Sequence, residues 1–333
     1  MSGKVAEIKN LLSRDDLAKS ISFLWETWRV QRQPWVDENL ELRNFIFATD
    51  TTKTVNSNLP WKNSTTVPKI AQIRDNLHAN YMSALFPNDQ WVKWEGYTLN
   101  DAEKKKVKAI ESYISNKTRE SDFMNTISQC IYDYIDYGNA FCSVEWCSEH
   151  TVDEETGEVI PGYVGPKAVR ISPLDIMINP TAPDFKSSPK IIRSIKTIGE
   201  ILSEAEEDPS KEYLKEAVIK SQKVRMACGT YSVEDFDKAV GYSIDGFGNL
   251  KEYYQSPYVE ILEFEGDIHH SDSNKVETNR IITVIDRSIV ARNEAIPSWL
   301  GKGNKSHVAW RLRPDNLYGM GPLIVTGKQY FYR

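Results

Sequence analysis

Apolar residues recur at helical spacing through the first 138 residues and at alternating spacing through most of the remaining chain. Ser13-Arg14-Asp15-Asp16 reads as a capping-box variant opening a helix whose stripe is Leu17, Ile21, Leu24, Trp25 and Trp28. Pro34 is expected to end or kink it. A second segment, roughly Val36 to Phe47, carries Leu40, Leu42, Phe45 and Phe47 at a spacing that favours helix without demanding it. Ile70, Ile73, Leu77, Tyr81 and Leu85 mark a third helix. Asn100 or Asp101 then caps a lysine-rich helix with Val107, Ile110, Tyr113 and Ile114 on the side expected to be buried. A further helix, with Phe123, Ile127, Ile131 and Tyr134, stops at Tyr137-Gly138, where glycine suits a left-handed helix end.

Beyond Gly138 the strands come in sequence. Ala140–Cys147 and Ala168–Ile171 flank an acidic hairpin tip at His150–Pro161, and Ser172-Pro173-Leu174-Asp175 turns a corner into Ile176–Ile178. Ile191–Ile195 leads into a Thr197–Glu200 capping box and two short helices divided at Asp208-Pro209. Tyr258–Phe264, Arg280–Ile285, Ile289–Arg292 and His307–Leu312 complete the strands. The class is α+β: N-terminal helices, then a mostly antiparallel sheet or small barrel.

The glycines of Leu317–Gly327 raise the question of a phosphate loop, and the spacing answers it. Pro322 stands where a P-loop needs its first glycine, and Gln329 follows Lys328 where a Mg²⁺-binding hydroxyl belongs. Ile324 occupies the place of the third Rossmann glycine. Gly319, Gly321 and Pro322 therefore read as a hinge that starts an apolar helix. With no stop signal before Arg333, the chain is expected to be the front part of something longer. Gly241-Tyr242-Ser243-Ile244-Asp245 and Asp245–Asn249 are read as turns rather than a nucleophile elbow or a calcium loop.

Asp267-Ile268-His269-His270-Ser271-Asp272 is the one dense imidazole and carboxylate cluster, expected in a polar loop. A metal-dependent hydrolase built on His269 and His270 is the alternative functional reading. Cys142 and Cys147 fall on opposite strand faces, and Cys130 and Cys228 have no partner at ligand spacing. No catalytic, cofactor or metal residues are assigned.

Charge narrows the classes further. Lys plus Arg is 41 and Asp plus Glu is 47, a net charge of −6, which argues against a duplex-DNA clamp. Met1–Glu7 has no apolar core of a secretory signal, and no apolar run approaches the ~18 residues of a membrane span.

Several stretches, in order, resemble the N-terminal part of a tailed-phage portal protein, the head-to-tail connector, most like those of short-tailed phages. They are Asn80–Trp91 with its Leu85-Phe86-Pro87, Tyr137-Gly138-Asn139-Ala140-Phe141, Ile171–Ile176, Asn179-Pro180-Thr181-Ala182, and Pro314–Pro322. The resemblance implies a wing with a helical part over residues 1–138 and a β-rich part over 139–316, then the start of a stem helix over 317–333. It makes Tyr137, Gly138 and Asn139 a helix–strand junction, and Gly319, Gly321 and Pro322 the hinge to the stem. The family continues through a clip, a second stem helix and usually a crown. It further implies a homo-oligomeric ring, usually of twelve subunits, at one capsid vertex of the virion, assembled in the host cytoplasm. The ring would meet the major capsid protein, terminase and tail or adaptor proteins. Double-stranded DNA would pass through it during packaging and ejection without sequence-specific binding. No membrane, cofactor or enzymatic step is implied. A generic structural adaptor of a large assembly is the remaining alternative.

Overall fold

A computed structural model describes residues 6–8, 14–47, 69–88, 91–95, 100–152, 159–179, 181–208, 211–228, 258–270, 275–297, 303–314 and 316–324. It is mixed α+β, with helices first and antiparallel sheets after.

Helix α1 (Arg14–Phe47) is the spine, because its successive turns enter three cores. Leu17, Ala18, Ile21, Trp25 and Trp28 lie on one face of the main sheet, against Leu262, Phe264, Ile282 and Val284. Trp35 and Val36 then pack with Phe141, Ile176, Ile178, Leu317 and Tyr318. Leu42 and Ile46 finish against Ile131, Ile135, Leu323 and Ile324.

Pro34 neither ends this helix nor divides it. Proline removes the hydrogen bond to the carbonyl four residues back, which is that of Val30. Val30 is 71% exposed, so water can take that carbonyl over. Arg32 pins the same turn by donating to the carbonyls of Pro173 (2.8 Å), Leu174 (3.0 Å) and Ile176 (2.9 Å). Tertiary anchoring thus offsets the local defect.

The main sheet runs β4 (Ile176–Ile178), β5 (Lys190–Thr197), β6 (Tyr258–His270), β7 (Lys275–Ile285), β8 (Ile289–Ala295), with β1 (Ala6–Ile8) parallel to the end of β6. Both faces of β6 are covered. Leu262 and Phe264 face α1, whereas Val259 and Ile261 face α5 (Ile198–Glu207) and α6 (Glu212–Cys228). The Thr197 capping box forms in full: Glu200 N–H donates to the threonine hydroxyl and the Glu200 carboxylate accepts from Thr197 N–H.

A second, three-stranded sheet orders β3 (Val159–Ile171), β2 (Asn139–Val152) and β9 (Lys305–Ala309), all antiparallel. The segment expected as one strand over His307–Leu312 is split at Trp310. β9 joins this sheet, and β10 (Arg311–Arg313) pairs instead with β11 (Asn316–Met320). Residues 317–320, expected to begin the stem, are therefore a strand, and Leu317 and Tyr318 are core residues.

α2 (Lys69–Leu85) and α4 (Phe123–Asp136) pack together through His78–Ser128 and the edge-on rings of Tyr81 and Tyr134. The stripe of α3 (Asp101–Glu120) is not buried as expected. Val107 and Ile114 are half-buried, but Ile110 is 43% and Tyr113 52% exposed.

Candidate functional site

Two sequence segments marked as junctions, 180 residues apart, meet at one point. α4 ends with the Tyr137 N–H on the Asp133 carbonyl at 2.9 Å, and Gly138 follows at φ +69°. That left-handed turn reverses the chain into β2, and the Gly138 carbonyl accepts the N–H of Trp310 at 3.0 Å. The segment through Met320 and Gly321 crosses directly over it. A Cβ on Gly138 would lie 2.2 Å from the Met320 carbonyl carbon and 2.3 Å from the Gly321 nitrogen. Gly319 and Gly321 complete the close approach. A Cβ there would lie 2.6 Å from the Gly138 oxygen or 2.7 Å from the Ile135 oxygen, respectively. Backbones this near require glycine on both sides.

Asn139 stitches the crossing. Fully buried, its Nδ2 donates to the carbonyls of Tyr137 (3.0 Å) and Gly319 (3.4 Å), and its Oδ1 accepts from the Gly319 N–H at 2.9 Å. The same oxygen lies 2.9 Å from His307 Nε2. Since Oδ1 is the acceptor, His307 carries its proton on Nε2. Trp35 of α1 packs against Tyr137 and Tyr318 and donates its indole N–H to Gly319 O at 3.4 Å. Past Gly321 the residues Pro322, Leu323 and Ile324 are helical, and the last two are buried beside Ile131 and Ile135. Proline suits this first helical position because an N–H there would have no intrahelical partner.

Charges ring the junction. Arg74 of α2 grips Asp136 with two bonds of 2.7 Å, and Arg170 of β3 grips Asp133 with bonds of 2.5 and 2.7 Å. Burial outweighs the Arg170 guanidinium and pushes the Asp133 carboxyl up to about 6. Burial also raises the Asp136 carboxyl, and it lowers the His307 imidazole to about 4.

His307 and Asp133 oppose one another in acid. A histidine whose folded pKa is depressed takes a proton in the unfolded chain first, so its contribution is lost as pH falls from about 6.5 to about 4, a cost of roughly 3 kcal/mol. Asp133, raised in the fold, gains stability over the window from about 6 down to the ordinary carboxylate range. Changing His307 to Phe therefore makes the protein progressively more stable relative to wild type as pH falls from 6.5 to 4, by up to about 3 kcal/mol in urea unfolding. A stability difference that stays flat across that window would contradict a neutral, half-buried His307.

Other sequence candidates do not gather. His269 and His270 are consecutive residues of β6, not of a loop, and pair with Val276 and Lys275. Among the described residues no group of three or more histidine, cysteine and carboxylate side chains is placed to hold a metal. Ser271, Asp272, Gly241–Asn249 and Lys328–Arg333 lie outside the described residues. The free thiols of Cys130 on α4 and Cys142 on β2 are hydrogen-bonded to each other. That bond lowers Cys142 to about 7 and, with burial, raises Cys130.

Both glycine segments stand out in the sequence, but no spacing signals that Asn139 and His307 join them. A buried asparagine serving two distant backbones has no signature in spacing. Among the described residues no helix is long and apolar enough to cross a membrane. No family model matches the chain, and no curated protein sequence matches it either.

Proposed function

We propose that the chain is the wing of a phage portal subunit of the short-tailed type, followed by the first turn of its stem helix. The observation that carries this reading is the crossing itself. The Tyr137–Asn139 and Gly319–Pro322 segments, both family-like in sequence, interlock so that the helix starting at Pro322 leaves from a fixed point against α4. A rigid joint between a broad body and a departing helix is what a ring subunit needs if load on the channel is to reach the wing.

The function is mechanical and electrostatic rather than chemical. Twelve or a similar number of copies would close head to tail around a channel at one capsid vertex, each presenting one patch to a different patch of its neighbour. The net charge of −6 suits a channel that lets phosphates slide, because it does not trade counterions for tight contacts. Terminase would drive DNA through the ring, and the capsid protein and tail adaptors would dock on its outside.

Negative-stain imaging of the complete gene product tests this. Ring particles with a central channel are expected; a product that stays monomeric at micromolar concentration and never forms rings would sink the reading.

A further inference from the structure

Cys130 and Cys142 lie on either side of the Gly138 turn, and their thiols meet between α4 and β2. Packing fixes that contact independently of the sulfurs. Asp133 lies one turn beyond Cys130, and both are buried on the same face of α4. Arg170 of β3 grips Asp133 through bonds of 2.5 and 2.7 Å, and Arg170 is the cross-strand partner of Cys142. Directly opposite positions of an antiparallel pair project to one face of the sheet. The ion pair therefore holds the helix that carries Cys130 against the sheet face that carries Cys142.

The two sulfurs are not equivalent. Cys130 is 7% exposed, whereas Cys142 is half-buried. The bond from the Cys130 S–H lowers the Cys142 thiol to about 7; the same bond, followed by burial, raises Cys130. Near neutral pH, Cys142 supplies thiolate while Cys130 keeps its proton. A reachable thiolate with a protonated thiol beside it is an attacking and a resolving cysteine. Cys147, further along β2, instead donates to the Glu149 carboxylate at 3.5 Å, and burial raises its thiol.

We propose that Cys130 and Cys142 form a hydroperoxide-sensitive pair that closes to a disulfide and fastens α4 to β2. The Cys142 thiolate attacks a peroxide oxygen, forming an S–O bond as the O–O bond breaks. The departing hydroxide takes up a proton and leaves as water. The Cys130 sulfur then attacks the Cys142 sulfur, and its proton goes to the hydroxyl that leaves as a second water. Two thiols are oxidised to one disulfide, and one hydrogen peroxide is reduced to two waters. The link encloses Gly138, so it restrains the turn on which the crossing depends. This inference is independent of the portal reading.

Treating the full, reduced chain with one equivalent of hydrogen peroxide at about pH 7.5 tests it. Cleavage after Tyr132, Tyr134, Tyr137 and Trp146 separates Cys130, Cys142 and Cys147, so chymotryptic peptides mapped without reduction identify the link. The Cys130–Cys142 disulfide should exceed any link through Cys147 or Cys228 by at least about tenfold. Against a glutathione buffer, the folded chain should hold that disulfide at least about tenfold more firmly than the chain in urea. Cys130→Ala should leave a Cys142 sulfenic acid that dimedone traps. Should that variant fail to fold, the wild-type map and the glutathione equilibrium still decide. An unreactive Cys142, its oxidation with Cys130 left free, a preferred link to another cysteine, or a disulfide no firmer in the folded chain than in urea overturns the proposal.

Discussion

Gly138→Ala will lower the stability of this protein by about 2–5 kcal/mol, a large share of the roughly 5–15 kcal/mol that holds a domain together. Two costs add. The φ of +69° is a left-handed conformation that costs an alanine about 1–2 kcal/mol. The new methyl also sits 2.2 Å from one backbone carbon and 2.3 Å from a backbone nitrogen, and neither can rotate away as a side chain would. Overpacking against rigid neighbours costs about 1–3 kcal/mol more, because the Met320–Gly321 segment must lift off α4. Gly199→Ala supplies the control. Its Cβ would meet nothing nearer than the Thr197 hydroxyl at 4.0 Å, and alanine favours helix, so stability should hold or rise by up to about 1 kcal/mol. Urea denaturation of both variants decides the matter, and a Gly138→Ala protein within 1 kcal/mol of wild type would refute the locked crossing.

Glu260→Gln is expected to cost about 3–5 kcal/mol for a different reason. Its side chain is only 1% exposed on the α1 side of β6, and it binds Arg193 Nε at 2.6 Å and Arg287 Nε at 2.7 Å. The Arg193 side chain is itself only 8% exposed, so removing the carboxylate leaves a buried cation short of its counter-charge. Arg287 also reaches Glu26 on α1, so the network staples the spine helix to the sheet. Burial alone would raise the Glu260 carboxyl, but the bond from Arg287 and the charges of Arg193 and Arg287 hold it below its usual value. A depressed folded pKa means the stabilisation is present above the unfolded carboxylate pKa and disappears as pH falls through the folded one. The gap between wild type and Glu260→Gln should accordingly narrow in acid. By contrast, the pair Lys104–Asp101, 59% and 92% exposed, is a solvated surface contact, and Asp101→Ala should change stability by less than about 0.5 kcal/mol. Equal effects from the two substitutions would mean that the Glu260 network contributes no more than a surface pair.

Recognition by sequence worked where one stretch of chain contains all the physics. The stripe of Leu17, Ile21, Trp25 and Trp28, the Thr197–Glu200 box and the Tyr137-Gly138 helix end depend on residues within a turn of each other. The Cys142–Cys147 separation is likewise read from strand alternation alone. The candidate site was legible in pieces. Gly319, Gly321, Tyr137, Gly138 and Asn139 all stood out, but as two unrelated junctions.

The tertiary structure decided everything that depends on a distant surface. Pro34 stays inside a 34-residue helix because Arg32 and Trp35 are held by groups more than 130 residues away. Ile110 and Tyr113 stay exposed because amphipathic spacing specifies a face but supplies no partner. β6 runs on through His269 and His270 because β7 and β1 offer edges to pair with, which composition cannot foresee. Local spacing specified the class, most of the elements and which glycines matter. Only the fold determined that those glycines touch, since a contact between Gly138 and Gly321 is a property of two chains of packing that meet, not of either segment alone.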